Sequence, residues 1–150
     1  MRKTMLLAAI IGTSALSSAA FARPITETDL ATMKRLSGAT ASPDGTVIAY
    51  QLRETDLDAN KGKTDLYMLK IGAKPQPMMF ASKPDKNEHD PAFAPDGKRI
   101  FYISNESGSD QIWRYDIATA TTAQASNFKA DISGFKISPD GQKFAVWGDI

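Results

Sequence analysis

The chain has 150 residues, 42% hydrophobic, 23% charged and 9% aromatic, with a formal net charge of +1. That balance suits one folded unit, and it excludes a disordered tail and the basic excess of a nucleic-acid binder. There is no cysteine, which excludes disulfides, thiol nucleophiles and thiolate metal sites and leaves His89 as the sole nitrogen ligand.

Residues 1–22 read as a secretory signal peptide. Arg2 and Lys3 form a positive start, Met5 to Leu16 is apolar, and Ala20-Phe21-Ala22 places small residues before a cut between Ala22 and Arg23. The apolar run is shorter than the ~20 residues that span a bilayer, so no stable membrane anchor is expected. Without those residues, 16 basic and 17 acidic residues remain in 128. The expected location is exported, periplasmic or extracellular.

Residues 23–38 are expected to hold one short helix. Thr26 is placed to cap it with Asp29 three residues on, and Ile25 is placed to pack on Leu30. Leu30, Met33 and Leu36 share a side at helical spacing, and Gly38 is placed to end the helix.

From residue 39 to 150 the hydrophobic period is two, and a punctuation recurs: Ser42-Pro43-Asp44-Gly45, Ala94-Pro95-Asp96-Gly97 and Ser138-Pro139-Asp140-Gly141. Proline presets φ, aspartate bonds to nearby backbone, and glycine takes the left-handed conformation that leads into a strand. Each turn precedes an apolar run: Val47 to Tyr50, Ile100 to Ile103 and Phe144 to Trp147. Runs apolar on both faces predict sheets covered on both sides. Aromatic strands follow at Asp65 to Ile71 and Ile112 to Ile117. The periods are 52 and 44 residues, the excess falling in a polar loop from Glu54 to Thr64. Periods in the forties with several short strands predict an all-β fold, a partial β-propeller of two to three blades of four-stranded antiparallel sheet.

The stretch Asp90-Pro91-Ala92-Phe93-Ala94-Pro95-Asp96-Gly97 through Ser104 resembles the propeller repeat shared by TolB-type proteins and peptidases of the prolyl oligopeptidase family. Ile25 to Leu36 followed by Ser42 to Tyr50 resembles the start of the family's exported acylaminoacyl-peptidase and dipeptidyl-peptidase relatives. The resemblance implies a propeller that gates peptide substrates for an α/β-hydrolase domain later in the parent chain. It implies no metal or other cofactor. The alternative is a non-catalytic TolB-like module that binds a protein partner. The nearest approach to a nucleophile elbow, Gly12-Thr13-Ser14-Ala15-Leu16, lacks its last glycine, so no catalytic residue is assigned. A closed ring needs roughly 180 residues or more, so the expectation is a fragment whose missing blades and hydrolase domain, or further copies of itself, complete it.

Other candidate sites have plainer readings. His89 beside Asp90 could pair a base with its orienter, but strand neighbours point to opposite faces, and a loop histidine is expected. Asp56-Leu57-Asp58-Ala59-Asn60 starts like a calcium loop, yet Lys61 stands where glycine is needed and Tyr67 where glutamate is. Asp44, Asp96 and Asp140 share one turn position, which argues for backbone bonding at separate locations. Tyr67, Trp113, Tyr115 and Trp147 read as core packing. Asn105-Glu106-Ser107 fits a glycosylation sequon.

Overall fold

A computed structural model describes residues 23–72 and 74–148. The expected signal segment up to Ala22 lies outside the described residues. One helix, α1 (Glu27–Thr32), precedes ten strands: β1 (Arg35–Ala41), β2 (Val47–Asp56), β3 (Lys61–Lys70), β4 (Pro77–Ala81), β5 (Glu88–Phe93), β6 (Arg99–Ser104), β7 (Gln111–Asp116), β8 (Thr121–Gln124), β9 (Gly134–Ile137) and β10 (Phe144–Trp147).

The capping box of α1 is formed: the Thr26 N–H donates to Asp29 Oδ2 at 2.8 Å and the Asp29 N–H to Thr26 Oγ1 at 3.3 Å. The helix is nevertheless shorter than the expected 23–38. Ile25, Leu30 and Met33 are exposed and no residue of α1 is buried, so no packed face extends the helix past its nucleus. Arg35–Ala41 instead gains a ladder with β2, with Leu36 opposite Leu52. Gly38, expected to stop the helix, holds φ +59° where the β1 register shifts between Ser37 and Thr40, a bulge that favours glycine.

Strands β1-β2-β3-β4 and β5-β6-β7-β8 form two antiparallel four-stranded sheets in chain order, and β9 pairs with β10 in a third. Strand β6 shows why its sequence is apolar throughout. Ile100 and Tyr102 pack toward the first sheet, against Ala49, Leu66, Met68 and Phe80. Phe101 and Ile103 pack toward the third, with Ile112, Ile132 and Phe135. Alternate side chains thus fill opposite interfaces, which is how a propeller blade sits between neighbours. Among the described residues only the middle sheet has this two-sided cover. Trp147, expected in the core, is 51% exposed, and its ring covers Gly134, its cross-strand partner.

The first sheet's extra length is strand rather than the expected polar loop. Strands β2 and β3 have ten residues each where β6 and β7 have six, and they stay in register from Val47–Lys70 to Asp56–Lys61. Only residues 57–60 turn, and the hairpin projects about 13 Å beyond its counterpart at ~3.3 Å per residue.

Removing a side chain from the interface between the second and third sheets has a definite cost. Ile103→Ala, at 0% exposure, should destabilise the fold by about 2–5 kcal/mol, and Met78→Ala, 48% exposed, by under about 0.5 kcal/mol, as read by urea unfolding.

Candidate functional site

The three repeated turns have one geometry. The glycine N–H closes onto the carbonyl three residues back, Gly45 to Ser42 and Gly97 to Ala94 at 2.9 Å and Gly141 to Ser138 at 2.8 Å. Their φ values are +70°, +68° and +71°, which a side chain would strain. Asp44 Oδ1 accepts from the Ser42 hydroxyl at 2.5 Å and the Thr46 N–H at 3.0 Å, and Asp140 does the same with Ser138 and Gln142. Asp96, preceded by alanine at the serine position, accepts from the Lys98 N–H at 3.0 Å and the Arg99 guanidinium at 2.9 Å. These donors hold all three carboxyls below their ordinary range, the serine hydroxyl leading at Asp44 and Asp140 and the Lys98 N–H at Asp96. Such carboxylates shape backbone; they are poor proton carriers near neutrality.

The three carboxylates stay apart, each bonded within its own turn, but the turns are neighbours. A Cβ at Gly97 would lie 3.5 Å from Pro43 Cδ, and one at Gly141 would lie 3.3 Å from Pro95 Cδ. The second and third turns therefore lie close against the proline ring of the turn before them. A repeat in sequence becomes a row of contacts along one rim.

At the other end of β1, β5 and β9, the first strand of each sheet and called the inner strands below, β5 carries the same bulge as β1, with Asp90 at φ +51° where β1 has Gly38. His89 lies here, half-buried on a strand rather than in a loop. The bulge breaks the alternation that would send neighbouring side chains to opposite faces, and His89 Nδ1 comes within 3.1 Å of Asp90 Oδ2. That contact holds the Asp90 carboxyl below its ordinary range. The Asp90 N–H donates to Gln51 Oε1 at 2.9 Å, and Gln51 Nε2 donates to Ser37 Oγ at 2.9 Å. Gln51 thus ties the inner strands of two sheets together. Nearby, the Asp110 N–H donates to Asp131 Oδ1 at 2.8 Å, and burial pushes the Asp110 carboxyl up against the opposing pull of His89.

This end can accept hydrogen bonds and attract positive charge. It holds no nucleophile: His89 bonds to Asp90 and to no serine among the described residues. Asp56 Oδ1 accepts the Ala59 N–H at 2.9 Å, so the supposed calcium loop is a hairpin turn. No cluster of three or more metal-ligating side chains occurs among the described residues. A groove of about 770 Å³ beside the long hairpin is lined by Glu54, Asp56, Lys61, Lys63, Lys86 and Asn87. Asn105 Oδ1 accepts the Asn87 N–H at 3.1 Å, so the sequon asparagine already bridges two loops.

Of the aromatic residues, Tyr115 is buried and Trp113 packs against the first interface, whereas Tyr67 stacks on Tyr50 at 5.7 Å. Gln111 carries no sequence signal and proved to be a buried hub. Its Nε2 donates to Ser109 Oγ and to the Phe128 and Ala130 carbonyls at 3.1–3.3 Å, and its Oε1 accepts from Ser126 Oγ and the Phe128 N–H at 2.9 and 2.8 Å.

No family model matches the chain. It is 31% identical over 150 residues to dipeptidyl-peptidase 5 of Porphyromonas gingivalis, covering 98% of this chain and 22% of that protein. The fold is that of the β-propeller domain of the trilobed protease from Pyrococcus furiosus, with a TM-score of 0.56 at 23% identity over 77% of this chain and 34% of that one. The fold is that of a β-propeller part, and nearly the whole chain is similar in sequence to one stretch of a dipeptidyl-peptidase. The acylaminoacyl peptidase of Pyrococcus horikoshii superposes with a TM-score of 0.62 at 18% identity, covering 79% of this chain and 18% of that one. The chain thus spans about a fifth of the curated relative it matches. Among the described residues no helix is long and apolar enough to cross a membrane.

The Gln111 hub gives a test of this propeller part. Gln111→Glu keeps the acceptor but removes both amide donors, leaving the Phe128 and Ala130 carbonyls without them. It should destabilise the fold by about 2–3 kcal/mol in urea unfolding, whereas Gln124→Glu on exposed β8 should change it by under about 0.5 kcal/mol.

Proposed function

We propose that this propeller part gates an exported serine peptidase that acts on peptides, with an α/β-hydrolase domain elsewhere in the parent protein carrying the chemistry. The observation that carries the reading is the alignment with dipeptidyl-peptidase 5 across 98% of the chain, the short helix as well as the repeats. Stacked blades suit a gate because their inner strands surround a channel whose width limits what reaches a buried site. An extended peptide passes such an opening more readily than a folded protein. In the hydrolase domain a serine would attack the scissile carbonyl with histidine as general base. The acidic end of the inner strands, with Asp90, Asp110 and Asp131, would meet the peptide on its way in.

The full-length parent protein should react covalently with a fluorophosphonate probe, and peptide mapping should place the label on a serine outside residues 23–148. It should also release short peptides from a peptide substrate while leaving a folded protein of the same sequence content intact. Absence of labelling, together with recovery of a stoichiometric protein partner, would replace this reading with the TolB-like binding module.

A further inference from the structure

The joint between the first two sheets encloses charged groups that neither the turns nor the inner-strand end uses. Glu88, the first residue of β5, is 1% exposed. Its Oε1 accepts from Ser104 Oγ at 3.2 Å, but its Oε2 is buried without a hydrogen-bond partner. Asp65 of β3 is 7% exposed, and its Oδ1 also lacks a hydrogen-bond partner. The Lys63 ammonium lies 2.8 Å from that oxygen as an ion pair, and it donates its hydrogen bond to Ser82 Oγ at 2.8 Å.

The remaining groups around Glu88 come from the elements packed on it. Strand β6 contributes Tyr102, and Glu106 follows it, paired with Lys83 at 3.1 Å. The backbone N–H of Lys83 favours the ionised form of Glu88. The Thr64 N–H, between Lys63 and Asp65, donates to Asn87 Oδ1 at 3.0 Å and so sets that pair beside Glu88. With both carboxyls ionised, one ammonium serves two buried negative charges, whereas with Glu88 protonated Lys63 and Asp65 balance.

We propose that the joint between the first two sheets is a proton-held contact, closed when Glu88 is the neutral acid and loosened when it ionises. Desolvation, the leading cause, pushes Glu88 up from its ordinary glutamate range, the neighbouring Asp65 adds to the rise, and Ser104 and Lys63 oppose it. A carboxyl whose folded value is raised favours folding in acid, and that contribution is lost as pH rises from the ordinary glutamate range through the folded value. Acid therefore tightens the joint. The contact is independent of the peptidase reading, since it lies wholly within β3, β5 and β6.

Hydrogen exchange by mass spectrometry on the full-length parent protein reads this joint locally. Corrected for intrinsic rates, β5 and β6 peptides should be more protected at about pH 4 than at about pH 8, by up to about tenfold for each unit the folded value is raised. Glu88→Gln, a fixed neutral group of the same shape, should hold the acid level of protection across that range. Wild-type protection that is flat or rises with pH would overturn the proposal, and so would an unchanged pH slope in Glu88→Gln. If Glu88→Gln does not fold, the wild-type profile alone decides.

Discussion

The structure depends on the middle sheet being buried on both faces. Strand β6 sends Ile100 and Tyr102 into one interface and Phe101 and Ile103 into the other, and none of the four exceeds 6% exposure. A single sheet of this composition would expose an apolar face of the kind that drives association. Stacking resolves that problem, and it sets the direction in which the chain must grow: each new blade covers its predecessor. Repeats that contact only their neighbours gain stability from these interfaces as much as from their own strands.

Polar groups fix the spacing of the blades. On one rim, the second and third Pro-Asp-Gly turns lie close against the proline of the turn before them, so the turn that reverses the chain also sets the distance to the next sheet. At the other end, Gln51 reaches from β2 to the Asp90 N–H of the next blade. Between these lie the buried Asp65 and Glu88 carboxyls, with the partly exposed Lys63 ammonium paired to Asp65. Apolar faces supply the attraction between blades, and these directional contacts supply the register.

Much of this fold was legible because its signals are local or periodic. Pro-Asp-Gly needs no tertiary context to form a turn, and apolar runs of four residues on short strands announce sheets with two covers. The helix was over-extended because Leu30, Met33 and Leu36 fit a helical stripe that has no partner to pack on, while Leu36 gains backbone bonds opposite Leu52. The Glu54 to Thr64 segment reads as loop because it is almost wholly polar, with only Leu57 and Ala59 apolar, so hydropathy carries no strand signal there. His89 and Asp90 were separated by a rule of alternation that a bulge suspends. Gln111 and Glu88 could not be found from sequence, since their importance comes from backbone and side chains remote in the chain, such as the Ala130 carbonyl that Gln111 bonds and the Asp65 beside Glu88.

For function, the chain contributes architecture and a polar inner-strand end, and on the proposed reading the peptidase chemistry would belong to residues outside it. The central claim is that these sheets are consecutive blades around a common axis. A crystal structure of the full-length parent protein tests it most directly. The account predicts β1, β5 and β9 side by side as inner strands lining one channel, with each turn glycine on the preceding proline. Sheets closed instead into a two-layer sandwich, with Phe101 and Ile103 facing solvent, would contradict it.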